Sequence, residues 1–207
     1  MARKPRREGL RIDDDRIPPP FGGRYVVAIT GASGGVIGIR LVEELLKRGC
    51  EVHVIVTASA REVLRHELGR SCRIPSQAVL HEEGDALSRL NSSSFLVDGM
   101  VVAPCSLKTL AGIASGYADN LVVRAADAVL RTGRRLIVVP RETPLSLSAL
   151  ENMVSLRKGG ALIMPPCAAY YHQPKTVDDM TDYFVGKILD VLGMDNSLYT
   201  RWGEDGA

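Results

Sequence analysis

Two short stretches of this chain place reactive side chains where a strand should end. The first is Arg141-Glu142-Thr143-Pro144, which follows the apolar run 136–139. A charged pair between a buried strand and a proline is expensive unless it faces a polar cleft. In such a cleft an arginine forks onto phosphate or a ring carbonyl, and a glutamate whose pKa burial raises can donate a proton. A structural ion pair is the plainer alternative. The second stretch is Pro104-Cys105-Ser106-Leu107-Lys108-Thr109, again after an apolar run. Ser106, Lys108 and Thr109 would stand at a helix start, where amide N–H groups and the helix dipole favour phosphate. Ser106 reads equally well as a simple N-cap.

A third stretch, Thr30-Gly31-Ala32-Ser33-Gly34-Gly35-Val36-Ile37-Gly38, has the form of a nucleotide-binding turn between a strand and an amphipathic helix. A dinucleotide site of the short-chain dehydrogenase type needs glycine at 37, where this chain has isoleucine. It also needs an acidic residue at the end of the second strand to hold a ribose diol. Here Val56 runs instead into Thr57-Ala58-Ser59-Ala60. Hydroxyls at a helix start suit a phosphate or a flavin edge better than a ribose. Tyr183 and Lys187 match the Y-x-x-x-K spacing of the dehydrogenase catalytic pair. That spacing is common by chance on a helix face.

The elements that must position these residues alternate. Strands are expected at 25–29, 52–56, 78–80, 100–103, 136–139 and 161–164. Helices are expected at 38–48, 60–68, 107–114, 120–131, 146–158 and 177–192. Strand runs that are apolar on both faces, separated by helices, mean an α/β fold with a doubly wound parallel sheet. The sites of such a sheet gather at the carboxyl ends of its strands. A length of 207 residues suits a single domain, assigned to 23–207, preceded by a basic, proline-containing arm at 1–22. The arm's first 20 residues hold six basic and four acidic groups, which leaves the rest electrically neutral. A neutral body argues against a nucleic-acid surface. No apolar run approaches membrane-span length, and the start of the chain lacks the apolar core of a secretory signal. The four cysteines are scattered and form no C-x-x-C, so reduced thiols and a cytoplasmic setting are expected, with no metal site.

The motifs TGASGG, MVVAPCSLKTLAGIASGYADNLVVRAADAVLR, RRLIVVPRETPLSLSALENM, GALIMPPCAAYYHQP and RWGE occur in that order. Together they resemble the flavin prenyltransferases of the UbiX type over essentially residues 24–203. The resemblance implies a flavodoxin-like or Rossmann-like homo-oligomer, typically a dodecamer built of trimers, that binds FMN. It implies transfer of a dimethylallyl group from dimethylallyl monophosphate to N5 and C6 of reduced FMN, without a metal. The product, prenylated FMN, would serve a UbiD-type decarboxylase.

Carried over residue by residue, the resemblance assigns Gly31, Ala32 and Ser33 to FMN, with Ser33 near N5. Thr57 would reach the phosphate side, Ser106, Leu107, Lys108 and Thr109 would wrap the flavin, and Arg141 would hold it. Glu142 would move the proton. Tyr171 and Lys187 would bind the substrate phosphate, helped by Arg124 and Arg131. The chain departs from the family pattern at Ile37, where the family has Tyr, at Arg131, where it has Lys, and at Lys187, where it has Arg. Charge is kept at the last two, but a forked guanidinium and a point-charge ammonium differ in phosphate geometry. An FMN-dependent cysteine decarboxylase-like protein and a non-catalytic FMN carrier are the alternatives. The cysteine decarboxylase pattern wants a histidine soon after the first helix, whereas His66 lies deep in the next one.

Overall fold

The computed structural model describes residues 22–69 and 73–203. Apart from Gly22, the arm at 1–22 lies outside the described residues, as do Cys72 and Glu204 of the RWGE motif. Six parallel strands form one sheet: β1 (Arg24–Ile29), β2 (Glu51–Val56), β3 (Val79–His81), β4 (Gly99–Cys105), β5 (Arg135–Pro140) and β6 (Leu162–Ile163). Their order is β3-β2-β1-β4-β5-β6. The winding reverses between β1 and β4, which opens a crevice at the carboxyl ends of those two strands.

The helices are α1 (Gly35–Lys47), α2 (Ala58–Leu68), α3 (Leu107–Ser115), α4 (Leu121–Arg131), α5 (Leu147–Lys158) and α6 (Val177–Leu192). Both sheet faces are covered, which is why the strands read as continuous apolar runs. Val27, Ile29, Val54, Val101 and Ile137 pack with α1, α2 and α6. Val26, Ala28, Ile55, Met100 and Val138 pack with α3, α4 and α5 on the opposite face.

Two of the boundaries that depart from the sequence reading bear on the site. Helix α1 begins at Gly35 rather than at 38. Gly34 takes φ +91° as its N-cap, and a Cβ at Gly38 would run into the Ala103 carbonyl and Ile29. Gly38 is therefore a packing residue inside the helix and not part of the turn. Strand β4 also continues through Pro104 to Cys105, with an irregular register against β5.

A polar chain is buried beside β2. His53 Nε2 lies 2.9 Å from Glu51 Oε1, and its Nδ1 lies 2.9 Å from His81 Nε2. The Ser88 hydroxyl completes the chain, 3.0 Å from His81 Nδ1. Only one proton fits between the two facing ring nitrogens. Burial lowers the pKa of both histidines, against the upward pull of Glu51 on His53 and with the added charge of His53 on His81. The unfolded chain therefore takes up protons before the folded one. Stability should be full above the ordinary histidine value of about 6.5 and fall as pH drops through the lowered folded values. Thermal unfolding between about pH 7.5 and 5 should show that slope, and the double replacement His53→Gln, His81→Gln should flatten it.

Candidate functional site

The turn after β1 is fastened to β4. Thr30 Oγ1 donates to the Pro104 carbonyl at 2.9 Å and accepts from Ser106 N–H at 2.8 Å. This ties the Gly31-Ala32-Ser33 turn to the start of α3. Ser33 is exposed on it, while Ala32 is buried. A Cβ at Gly31 would overlap the Ser59 side chain, so the glycine lets the turn lie directly on the N-terminus of α2. Ser59 Oγ in turn lies 3.1 Å from Thr57 Oγ1.

Thr57, Ser59, Ser106, Lys108 and Thr109 line one cavity of about 410 Å³, together with Glu83, Asn120 and Asn152. The Ser106 hydroxyl caps α3, accepting from Thr109 N–H at 3.3 Å, and Ser106 also lines the cavity. Thr57 likewise caps α2, accepting from Ala60 N–H at 3.2 Å. Leu107 packs against the core beneath and is not among the lining residues. Two helix N-termini, several hydroxyls and an exposed lysine form a seat with the chemistry of a phosphate site. A larger cavity of about 560 Å³ lies under α2 beside Leu64, Arg65 and Ile74, and it receives none of the residues singled out by sequence.

The Arg141 backbone N–H donates to the Cys105 carbonyl at 3.2 Å, next to this seat. Its Nε is buried with no hydrogen-bond partner among the described residues. Such an orphan donor fits a site that takes an oxygen-bearing ligand. Glu142 corrects the expectation drawn from the sequence. It is exposed, and its carboxylate accepts from the adjacent Thr143 N–H at 3.0 Å. Within the single chain it therefore lacks the burial that the sequence reading gave it.

Tyr171 and Lys187 meet in a second cluster. The Tyr171 ring stands edge-on to Trp202 at 5.4 Å, to His172 at 5.5 Å and to Tyr183 at 6.2 Å. Tyr199 joins this group to Lys187, whose Nζ lies 5.8 Å from the Tyr199 ring and 3.9 Å from Asp190. Asp190 is already held by the Arg201 fork and by the Tyr199 hydroxyl at 2.6 Å, which outweigh its burial and lower its pKa. Lys187 is the half-exposed cation of this cluster. Tyr183 stacks on His172 at 4.8 Å, so the Y-x-x-x-K pair belongs to an aromatic group. Arg124 and Arg131 are not brought here. They are exposed on α4, across the sheet, where Arg124 donates to the Ala118 carbonyl and Arg131 pairs with Asp127.

One acidic group escaped the sequence reading. Glu67, in the last turn of α2, accepts from Gly34 N–H at 3.1 and 3.3 Å, beside Ser33. Its partner is 33 residues away, and no local periodicity marks such a pairing.

Fold and site define a doubly wound α/β protein with a hydroxyl-lined cavity at the carboxyl ends of its strands, where such folds take nucleotides. A family model described as Flavoprotein matches residues 22–189. The flavin prenyltransferase UbiX of Halalkalibacterium halodurans is 44% identical over 197 residues, 89% of this chain and 96% of that protein. AnUbiX (PadA1), solved in complex with FMN and dimethylallyl pyrophosphate, superposes with a TM-score of 0.83 and 39% identity, over 87% of this chain and 97% of its own. A dodecameric FMN-dependent Ubix-like decarboxylase from Escherichia coli O157:H7 also reaches 0.83, with 42% identity, covering 86% and 98%. The chain belongs to the flavin prenyltransferase family of flavoproteins. The FMN-dependent cysteine decarboxylase TvaF, at 21% identity and a TM-score of 0.56, shares only the fold.

Proposed function

We propose that this chain transfers a dimethylallyl group from dimethylallyl monophosphate to N5 and C6 of reduced FMN. The observation that carries the reading is the hydroxyl-lined seat at the switch point, with Thr57, Ser106, Lys108 and Thr109 around one cavity and the orphan Arg141 Nε beside it. Its volume and polar lining suit a mononucleotide. Reduced FMN supplies the nucleophilic N5 and the C6 that take the alkyl group.

The chain's own residues do the rest. Gly31, Ala32 and Ser33 hold the flavin edge, and the two helix N-termini with Lys108 take its phosphate. Tyr171 and Lys187 bind the phosphate of the allylic substrate. A cation and a hydroxyl there stabilise the departing phosphate anion, which is the charge that develops as the allylic bond breaks. Glu142 moves the proton released when the ring closes.

Arg124 and Arg131 lie on the opposite sheet face from Tyr171 and Lys187, so one protomer cannot bring both sets to one phosphate. The assembly is a homododecamer in which neighbouring copies supply the missing set. Leu147, Leu150 and Val154 support this, forming an exposed apolar stripe on α5 just beyond Glu142. Contact along that stripe would also bury Glu142. The product passes to a UbiD-type decarboxylase, and the setting is cytoplasmic. Among the described residues Cys50, Cys105 and Cys167 are free thiols, and no helix is long and apolar enough to cross a membrane.

The test is anaerobic incubation of the protein with reduced FMN and either dimethylallyl monophosphate or the diphosphate. A flavin heavier by one prenyl group is expected with the monophosphate. Bound FMN of unchanged mass with both donors would make the chain a carrier.

A further inference from the structure

We propose that Glu83 is a built-in competitor for the flavin phosphate, and that it speeds release of the product. The inference rests on the placement of that phosphate in the 410 Å³ cavity. There FMN is consumed, so the enzyme must let go of a dianion that it has gripped with two helix N-termini and a lysine. Slow release of a tightly held product is a common limit on turnover.

Glu83 lines this cavity together with the capping hydroxyls of Thr57 and Ser106. Its Oε1 accepts from Ala58 N–H, the first donor of α2, at 2.7 Å. Thr57 Oγ1 already takes the Ala60 N–H, so Ala58 offers a donor that a phosphate oxygen would otherwise use. A carboxylate and a phosphate cannot both hold that seat, because like charges at contact distance repel by several kcal/mol. Glu83 occupies it with the one group that costs nothing to supply.

The side chain can leave without unfolding its loop. The Glu83 main-chain carbonyl accepts from Leu121 N–H at 2.8 Å, which fixes the backbone to the start of α4. Glu82 is fastened to Arg61 by two bonds of 2.9 Å. Asn91 Nδ2 donates to the Asp85 and Ala86 carbonyls at 3.0 Å. The loop is thus anchored on both sides of a carboxylate that swings out when the phosphate enters and returns when it goes.

The experiment compares FMN with riboflavin, which has the same ring and ribityl chain but no phosphate. Affinities are read from quenching of flavin fluorescence in the wild type, Glu83→Gln and Glu83→Ala. The glutamine retains an acceptor for Ala58 N–H and guards against loss of the loop. Both variants should bind FMN at least about tenfold tighter, with a correspondingly slower off-rate, while riboflavin affinity stays the same. Weaker or unchanged FMN binding, or an equal shift for both flavins, would overturn the proposal and make Glu83 a structural staple. If the wild type does not distinguish FMN from riboflavin, the phosphate seat itself is misplaced and the proposal falls with it. Prenyl transfer, assayed separately, reports on the function whatever the flavin comparison shows.

Discussion

Glu142→Gln should bind FMN as the wild type does and form prenylated flavin about 10²- to 10⁴-fold more slowly, the range that a positioned proton-transfer group contributes. The structure makes this a clean substitution. The Glu142 side chain is exposed and its carboxylate accepts from the neighbouring Thr143 N–H, a role that a glutamine carbonyl fills equally well as acceptor. Unfolding temperature and flavin affinity should therefore hold while turnover drops. The readouts are product mass against time, flavin fluorescence and a melting curve on one preparation. If the proposed assembly buries Glu142, conditions that dissociate the oligomer should lower wild-type activity towards that of the variant. Full activity of Glu142→Gln would move the proton elsewhere. Glu67, at the Gly34 amide beside Ser33, is the carboxylate the fold places next in line.

Much of the fold is legible in the order of residues, and the reason is physical. Strands covered on both faces must be apolar throughout, so runs such as 52–56 and 136–139 could not be half-exposed hairpins. The phosphate seat is legible for a related reason. Thr57 and Ser106 are each the hydroxyl that follows a strand and opens a helix, and that position leads to the crevice in any parallel sheet. What local pattern does not carry is long-range pairing. Glycine is a poor helix former, so Gly35 reads as turn and Gly38 as no more than the helix start, yet close packing against Leu64 and Ile29 sets both within α1. Glu67 and Glu83 are ordinary surface carboxylates in sequence, and only the fold sets them on Gly34 and Ala58. The positions of Arg124 and Arg131 across the sheet from Lys187 follow from which face each crossover takes. Motif resemblance groups these residues without regard to face.

One buried carboxylate ties the helix of the Gly31–Ser33 turn to the helix of Lys187, and its loss should cost more stability than that of any other ion pair described above. Glu44 on α1 is buried and binds Arg40, Arg48 and Lys47, the last at 2.9 Å. Arg40 extends the network to Asp182 on α6 at 2.7 Å. Helix α1 carries the flavin turn, and α6 carries Tyr183 and Lys187. Burial alone would raise the Glu44 pKa, but hydrogen bonds from Arg48, Lys47 and Arg40 bring it down to about 2. The folded value lies below the ordinary 4.5, so this stabilisation is complete above pH 4.5 and drains away as pH falls towards 2. Glu44→Ala should cost about 3 kcal/mol, the low end for a broken buried pair, because the stranded guanidiniums of Arg40 and Arg48 keep part of their surface in water. For a domain of this size that lowers the melting temperature by about 6–12 °C and reduces the acid-side slope, to which Glu51 and Asp190 also contribute. The variant should also separate the two halves functionally. With α1 still packed on β1, FMN affinity should change little, whereas the KM for the allylic phosphate should rise as α6 loses its tie through Arg40. Equal losses in both would mean that Glu44 supports the core and leaves the register of the two helices to their apolar contacts.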